Sequence, residues 1–381
     1  MKIYADNAAT TKLDTDAFEA MKPYFLEDYA NPSGAYSFSK KAKRALQEAR
    51  KTIAECINAE PRQIIFTSGG TESNNHAIKR FTMPSDICHV VTSAIEHHSV
   101  LNACENSGFE QFIIPVDKYG IVSANELEKV LGRNRSAVAS CDSTIVTIMT
   151  ANNEIGTIQP IKMLAKIAHQ HGAIFHTDAV QAVGHIPIDV KAMDIDMLSA
   201  SAHKFNGPKG IGFLYSKNSL LQPYHNGGSQ EFGMRAGTEN VPAIVGMAVA
   251  LKKSVENMVQ NTKHLEHLTE VFLSIMSDSN VNYVLNGHPT EHLPDNINLS
   301  FKNRSGEGLM HMLDLKGICI STGSACDSVN QQVSHVINAI GVPDDYREGT
   351  IRVTFSKDNT KQDAVDIANA LIKLITINEQ I

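Results

Sequence analysis

A lysine stands just after a run of small residues that is typical of the end of a buried strand. Residues 199–202 (Ser-Ala-Ser-Ala) leave room beside the backbone, and a Gly-Pro pair at 207–208 turns the chain soon after Lys204. A primary amine in such a place can attack a carbonyl group once burial or neighbouring cations lower its pKa. The alternative is that Lys204 is simply one of the 34 basic residues of the chain and is solvated. This stretch alone leaves both interpretations open.

A glycine pair joins another strand-like run to a helical pattern. The apolar residues 64–67 lead into Ser-Gly-Gly-Thr at 68–71, and a helical pattern follows. A turn of this kind presents free backbone N–H groups and the positive end of a helix to an anion such as a phosphate. Glycine turns before helices also occur for geometric reasons alone, so a structural role is the alternative.

Polar side chains follow three further apolar runs. Asp178, the pair His97 and His98, and Asn153 each come shortly after one of them. A carboxylate buried at a strand end needs a cationic or N–H partner, whereas an Asp in this place often serves only as a helix N-cap. Each histidine is equally compatible with the protein surface, and Asn153 with a structural role in its turn.

These turns together match the requirements of one cofactor. Open parallel sheets bind ligands beyond the carboxyl ends of their strands, so all of these side chains would share one crevice. Pyridoxal phosphate (PLP) needs an amine to form its imine, an anion site for its phosphate and a carboxylate against its pyridine nitrogen. The sequence therefore predicts a PLP site built around Lys204.

The sheet that must position these groups is predicted by an alternation of short apolar runs and helical patterns. Such an alternation builds a mostly parallel sheet. The run at 211–215 follows only a tight turn, which predicts an antiparallel strand, because a parallel return needs a crossover of about a dozen residues. The other runs are 64–67, 89–93, 109–114, 145–149, 173–176 and 196–201, with helical patterns at 71–80, 99–107, 123–131 and 161–170. We therefore predict an α/β fold with a mostly parallel seven-stranded sheet in a large domain.

A second, smaller lobe is predicted beyond residue 255. The chain has 381 residues, more than the roughly 250–300 that one hydrophobic core supports. Apolar residues between 241 and 275 keep helical spacing, which predicts a long helix that bridges to a lobe of mixed helices and strands. We expect a large PLP-binding domain over 14–255 and a smaller α+β domain formed by 1–13 and 256–381.

The composition excludes several other classes of protein. Apolar residues make up 42% of the chain and charged residues 20%, which is ordinary for a globular protein. The net charge of −7 opposes direct binding of nucleic acid. No apolar run approaches the roughly 20 residues that cross a bilayer, and the first residues do not resemble a signal peptide, so we expect a cytoplasmic protein without a membrane partner. The six cysteines lack zinc-type spacing, so no metal site and no disulfide framework is predicted.

Eight short motifs follow one another along nearly the whole chain. They are Ala-Asp-Asn-Ala-Ala-Thr-Thr at 5–11, Ser-Gly-Gly-Thr-Glu-Ser-Asn-Asn at 68–75, Glu-His at 96–97, Asn-Asn-Glu-Ile-Gly at 152–156, His-Thr-Asp-Ala-Val-Gln at 176–181, Ser-Ala-His-Lys-Phe-Asn-Gly-Pro-Lys-Gly at 201–210, Met-Arg-Ala-Gly-Thr-Glu-Asn at 234–240 and Ser-Thr-Gly-Ser-Ala-Cys at 321–326. In this order they resemble the cysteine desulfurases, which are PLP enzymes of the class V aminotransferase group with fold type I.

The resemblance implies a role for each candidate residue. Lys204 would bind the cofactor as an imine and then shuttle the Cα proton of the substrate. His97 would stack on the pyridine ring and assist proton transfer, and Asp178 would pair with the ring nitrogen. The further cofactor contacts would be Gln181 and Asn153 near the ring oxygen, Gly70, Thr71, Ser201 and His203 at the phosphate, and Thr238 from the partner subunit of a homodimer.

The resemblance also assigns the substrate contacts. Arg352 and Asn153 would hold the carboxylate of L-cysteine, a task that suits the guanidinium fork; a lone arginine in a strand is otherwise a surface charge. Cys326 lies among small polar residues that suit a mobile, accessible loop. Its thiolate would attack the substrate sulfur, leaving L-alanine and an enzyme persulfide, and the loop would carry that persulfide to an acceptor. By composition alone, Cys326 would be an incidental or core cysteine.

Two departures from the family pattern stand out. Asp327, beside Cys326, would oppose formation of the thiolate. Phe232 stands where the family usually has an arginine. Both leave the site assignments unchanged.

The predicted function is thus a homodimeric L-cysteine desulfurase that passes sulfur to an acceptor protein, either a tRNA-thiolation enzyme or an iron–sulfur scaffold. One alternative is another class V enzyme, acting on selenocysteine or cysteine sulfinate or as an aminotransferase. The other is an inactive relative that only binds sulfur-transfer proteins. The joint presence of Lys204, Asp178, His97 and Cys326 argues against the inactive relative.

Overall fold

The computed structural model describes residues 2–79, 87–134, 143–217, 221–323 and 333–377. Its strands are β1 (Ile3–Tyr4), β2 (Ile64–Thr67), β3 (Ile87–Ser93), β4 (Glu110–Ile114), β5 (Ser143–Thr147), β6 (Ile174–Asp178), β7 (Met197–Ser201), β8 (Gly212–Ser216), β9 (Tyr283–Asn286), β10 (Asn296–Phe301), β11 (Ile318–Cys319) and β12 (Thr350–Thr354). Its helices are α1 (Thr15–Met21), α2 (Pro23–Leu26), α3 (Lys40–Cys56), α4 (Gly70–Lys79), α5 (His98–Glu105), α6 (Ala124–Asn134), α7 (Ile161–Gln170), α8 (Val241–Glu256), α9 (Met258–Ser277), α10 (Gly306–Asp314), α11 (His335–Ala339), α12 (Asp344–Arg347) and α13 (Lys361–Ile377).

A seven-stranded sheet forms the centre of the larger lobe, in the order β2-β8-β7-β6-β5-β3-β4. Strands β4, β3, β5, β6 and β7 pair in parallel, and β8 runs antiparallel to both β7 and β2. The predicted α/β fold is therefore confirmed, including the antiparallel strand at 212–216. Because two antiparallel pairings restore the direction, β2 is parallel to β7, and its carboxyl end lies at the same edge of the sheet.

Three strands of this sheet are fully buried, whereas the edge strand β4 is partly exposed. The buried strands are β2, β7 and β8, and such burial is expected of strands without a solvated face. Helix α3 shows how the outer layer packs: its buried apolar residues Ala42, Ala45, Leu46, Ala49, Ile53 and Ala54 lie on one face of the helix, and this face meets the core.

The long helix predicted between 241 and 275 is two helices. Helix α8 ends at Glu256 and α9 begins at Met258, with Asn257 between them at φ −100° and ψ 7°. The carbonyl of Lys253 accepts from both the backbone N–H and the side-chain amide of Asn257, which closes the last turn of α8. Helical spacing of apolar residues could not reveal this interruption.

A second hydrophobic core lies in the carboxyl-terminal part of the chain. It joins α9 and α13 to a three-stranded antiparallel sheet in the order β12-β10-β9. Ala5 of the amino-terminal segment belongs to this core, and β1 pairs in parallel with β11. The division into a domain over 14–255 and a smaller one formed by 1–13 and 256–381 stays a prediction. Within the described ranges, no helix is both long and apolar enough to span a membrane.

Candidate active site

The polar turns predicted from the sequence meet at one edge of the large sheet. The carboxyl ends of β2, β3, β5, β6 and β7 point to this edge, and a cavity of about 490 Å³ lies beyond them. The predicted residues that line it are Gly70, Thr71, His97, Asn153, Asp178, Gln181, Ser201, His203, Lys204 and Arg352. The cavity thus gathers residues of the large sheet together with Arg352, which comes from β12 of the smaller sheet.

Lys204 lies in a single 3₁₀ turn, residues 202–204, that directly follows β7. Its Nζ donates to the backbone carbonyls of Ala8 and Ala9, at 2.9 Å for Ala9. The carbonyl of Ala8 also accepts from Nε2 of Gln181 at 2.9 Å. These contacts place the amine of Lys204 at the wall of the cavity, beside the amino-terminal segment.

Asp178 is buried at the end of β6 and has two N–H partners. Its Oδ2 accepts from Nδ2 of Asn74 at 2.7 Å, and its Oδ1 accepts from the backbone N–H of Val180 at 3.0 Å. The same amide of Asn74 also donates to Oγ of Ser99 at 2.8 Å. Hydrogen bonds to both oxygens stabilise a carboxylate that is only 4% exposed. Asp178 therefore has the N–H partners that a carboxylate buried at a strand end needs.

His97 is connected to this network through Ser99. Its Nδ1 accepts from the backbone N–H of Ser99 at 3.1 Å and lies 2.8 Å from Oγ of the same residue. Because Nδ1 is an acceptor, the neutral ring carries its hydrogen on Nε2. Burial lowers the pKa of His97; the Asp178 carboxylate opposes this effect, and Lys204 adds to it. His97 is therefore neutral at physiological pH and can accept a proton.

The glycine turn and β7 form the opposite side of the cavity. Helix α4 begins at Gly70, where a Cβ would lie 2.6 Å from Cγ2 of Val180 and 3.7 Å from Cβ of Ser201. Burial, followed by the charges of Lys204 and Lys209, lowers the pKa of His203 to about 4. A neutral imidazole, a hydroxyl and the amino end of α4 therefore surround a space suited to an anion.

Arg352 projects from β12 and is only 2% exposed. Its Nη1 donates to the carbonyls of Asn153 and Gly323, each at 2.7 Å. Its Nη2 donates to Oδ1 of Asp6 at 2.8 Å. Among the described residues, its buried Nε has no acceptor. The arginine is thus a cavity residue rather than a surface charge, and the hydrogen bonds within the described ranges use three of its five N–H donors.

Both chain ends that flank residues 324–332 lie at this cavity. Gly323 lines it and accepts from Arg352. On the other side, Ser334 donates to Oε2 of Glu154 at 2.6 Å. Nε2 of His335 lies 2.9 Å from the carbonyl of Glu96. Cys326 itself lies outside the described residues, so its assignment stays a prediction.

Thr238 does not line the cavity. It is exposed, two residues before Asn240, the N-cap of α8. The loop before it is fixed by Glu231, which forms a buried ion pair with Arg50 at 2.6 Å and accepts from the backbone N–H of Phe66 at 2.8 Å. The predicted contact of Thr238 with a cofactor in a partner subunit therefore stays a prediction.

Comparisons with known proteins agree with this arrangement. Residues 3–367 match the family model described as aminotransferase class V. The chain is 44% identical over 387 residues to a cysteine desulfurase IscS of Dictyoglomus turgidum, with 99% of this chain and 96% of that protein covered. The chain belongs to the cysteine desulfurase family of class V aminotransferases. The resemblance inferred from the motifs is confirmed.

Solved structures of cysteine desulfurase relatives share the whole fold. A NifS-like protein superposes with a TM-score of 0.90 at 34% identity, covering 99% of this chain and 100% of its own. A structure of SspA in complex with cysteine superposes with a TM-score of 0.80 at 36% identity, covering 94% of this chain and 100% of its own. The two-lobed architecture is therefore that of the cysteine desulfurase family.

Sequence reasoning missed several residues that complete this cysteine desulfurase site. Asn74 and Ser99 hold Asp178 and His97, Asp6 pairs with Arg352, and Glu154 lines the cavity beside Asn153. One signal was available for Asn74, because it stands four positions after Gly70 and therefore on the same face of α4. The pairing of Asp6 with Arg352, 346 positions apart, has no local signal.

Proposed function

We propose that the chain is a PLP-dependent cysteine desulfurase that converts L-cysteine to L-alanine and keeps the sulfur atom as a persulfide on Cys326. The observation that carries this proposal is the meeting of Lys204, Asp178 and the amino end of α4 in one cavity. Membership of the cysteine desulfurase family supports the same activity.

The residues around the cavity fit PLP. Gly70, Thr71, Ser201 and His203 would hold the phosphate, because the amino end of α4 favours an anion and Gly70 packs so closely that a Cβ there would lie 2.6 Å from Cγ2 of Val180. Asp178, held as a carboxylate, would bind the pyridine nitrogen, and Gln181 would bind the ring oxygen. When bound, the cofactor withdraws electrons from the Cα of an attached amino acid.

Two groups of the chain suit proton transfer beside that carbon. Lys204 supplies an amine at the end of β7, and neutral His97 supplies an acceptor. Because burial lowers the pKa of His97, its ring stays neutral and able to accept a proton at a pH at which a free imidazole would be partly protonated.

Arg352 and Asn153 would hold the substrate carboxylate. Arg352 lines the cavity, and the hydrogen bonds within the described ranges use three of its five N–H donors; a guanidinium binds a carboxylate through two parallel hydrogen bonds. A structurally similar protein, SspA, has been solved in complex with cysteine. We therefore propose L-cysteine as the substrate of this chain.

Sulfur transfer would take place between the substrate and Cys326. The carbon–sulfur bond of L-cysteine breaks, a sulfur–sulfur bond forms at the thiolate of Cys326, and the proton from the thiol ends on L-alanine. Residues 324–332 connect Gly323 with the Ser334–His335 pair, and both flanks contact residues of the cavity. This placement supports Cys326 as the sulfur acceptor.

The finer parts of the proposal concern other molecules. We propose a homodimer in which Thr238 of one subunit completes the phosphate site of the other. The persulfide would pass to an acceptor protein, either an iron–sulfur scaffold or a tRNA-thiolation enzyme. The relative from Dictyoglomus turgidum carries the name IscS, which fits the scaffold.

The experiment that tests the function compares the purified holoenzyme with its Lys204→Ala variant. The native protein should hold PLP in a form that borohydride reduces onto Lys204, and should release one L-alanine for each L-cysteine consumed. Lys204→Ala should form no borohydride-stable link and no L-alanine. Native protein that binds no PLP, or that consumes L-cysteine without forming L-alanine, would refute the proposal.

A further inference from the structure

The segment from Asp6 to Thr10 lies between the two cations of the site. Asp6 accepts from Arg352, and the carbonyls of Ala8 and Ala9 accept from Lys204. We call residues 6–10 the amino-terminal strap. Its sequence, Asp-Asn-Ala-Ala-Thr, belongs to the motif at 5–11. Neither the spacing of its residues nor the proposed reaction assigns this motif a role.

The strap is fixed to the strand that carries Arg352. Nδ2 of Asn7 donates to the carbonyl of Thr354 at 2.9 Å, and the backbone N–H of Ala8 donates to Oγ1 of Thr354 at 2.9 Å. The hydroxyl of Tyr4 lies 3.0 Å from the carbonyls of Asp6 and Thr10 and closes the turn between them. The carboxylate of Asp6 is therefore held at a fixed place beside the guanidinium.

The negative charge of Asp6 lies beside the guanidinium to which the substrate carboxylate is expected to bind. The side chain of Arg352 is 2% exposed and that of Asp6 is 17% exposed, so water screens their interaction only weakly. A buried guanidinium needs a counter-charge, and Asp6 provides one before any substrate enters. A substrate carboxylate that binds the same guanidinium must then approach the carboxylate of Asp6. The two like charges repel each other at this distance.

We propose that Asp6 is a positioning residue that holds the guanidinium of Arg352 and at the same time weakens its attraction for the carboxylate of an amino acid. This inference rests on the proposed role of Arg352 in substrate binding. L-Cysteine and L-alanine carry the same carboxylate, so the effect applies equally to substrate and product. Asp6 thus limits the affinity for both and allows L-alanine to leave.

The test separates the charge of Asp6 from its hydrogen bond. Asp6→Asn keeps an oxygen that can accept from Nη2 but removes the charge. We expect it to lower the KM for L-cysteine and the Kd for L-alanine by the same factor, on the order of fivefold, which corresponds to about 1 kcal/mol. L-Alanine binding is measured from the absorbance change of the holoenzyme without turnover. The methyl ester of L-cysteine has no carboxylate and should keep its KM.

Two further variants control for position. Asp6→Ala removes the acceptor as well, so it should raise the KM for L-cysteine. Tyr4→Phe loosens the strap without changing a charge and should leave the ratio of the KM values for acid and ester as in the native enzyme. If Asp6→Asn does not fold, Asp6→Ser supplies an uncharged acceptor instead.

The outcomes distinguish this inference from the proposed function. If Asp6→Asn leaves L-alanine affinity unchanged or weakens it, or changes acid and ester equally, Asp6 does not have this role. Arg352→Gln tests the underlying assumption, because it should raise the KM for the acid far more than for the ester. If Arg352→Gln affects both alike, the proposed role of Arg352 is wrong as well.

Discussion

The side-chain amide of Asn74 donates a hydrogen bond of 2.7 Å to Oδ2 of Asp178 and another of 2.8 Å to Oγ of Ser99. Through Ser99, which lies 2.8 Å from Nδ1 of His97, the amide links Asp178 to His97. Asn74 of α4 therefore orients the side chains of Asp178, the last residue of β6, and of His97, which follows β3.

Asn74→Ala should weaken the binding of PLP. It removes one of two N–H partners of Asp178, and a hydrogen bond to a charged group contributes about 1.5–3 kcal/mol, or roughly a tenfold or larger change in affinity. Titration of the apoprotein with PLP measures the effect. The control is Asn75→Ala, which loses only a side-chain bond to the backbone of Thr71. Equal PLP affinities in the two variants would show that Asn74 does not contribute to PLP binding.

Gly70→Ala should reduce the affinity for PLP far more than that for pyridoxal, which has no phosphate. The new Cβ would lie 2.6 Å from Cγ2 of Val180 and would narrow the space at the amino end of α4. Val180→Ala in the same protein removes the contacted methyl group and should restore most of the loss. An equal loss for PLP and pyridoxal, without rescue, would show that this turn does not bind the phosphate.

Glu96→Gln should stabilise the protein increasingly as the pH rises. Burial raises the pKa of Glu96 to about 8 from an ordinary value of 4.5, so above pH 4.5 the unfolded chain loses a proton that the folded protein retains. The native residue therefore lowers stability progressively between pH 4.5 and 8. The midpoint of thermal unfolding of Glu96→Gln should equal that of the native protein near pH 4.5 and exceed it by several degrees near pH 8. A constant difference across this range would contradict the buried, protonated acid.

Glu231→Gln should destabilise the protein by roughly 3–5 kcal/mol, because it leaves Arg50 buried without its partner. Glu231 also has a φ of 48°, a left-handed conformation that its three hydrogen bonds must maintain. Urea unfolding measures the change. Lys51→Ala is the control on the same helix: its pair with Glu55 is about two-thirds exposed, and such pairs contribute about 0.5 kcal/mol or less. Similar losses in the two variants would contradict this explanation.

The sequence predicted the sheet and the strand-end residues because both depend on local pattern. The apolar runs identify the strands, and the parallel connections bring residues such as Asp178 and Lys204 to one edge. Arg352 became a site residue only through the family resemblance, because a single arginine in a strand has no local signal of function. The structure adds that it is buried among carbonyl groups and Asp6.

The features that could not be predicted depend on contacts between distant segments. Asp6 meets Arg352 only because the amino-terminal segment pairs with the smaller lobe at β11 and β12. The break between α8 and α9 consists of one non-helical residue, Asn257, and the spacing of apolar residues does not reveal it. Thr238 requires a second chain for its predicted contact.

The most direct test of the account follows the sulfur atom. The holoenzyme is incubated with sulfur-labelled L-cysteine in an amount below that of the enzyme, its free thiols are blocked, and its peptides are analysed by mass spectrometry. We predict that the peptide with Cys326 carries one additional labelled sulfur atom, that L-alanine forms in equal amount, and that Cys319→Ala behaves like the native enzyme. Label on another cysteine, or undiminished L-alanine formation by Cys326→Ala, would contradict the account.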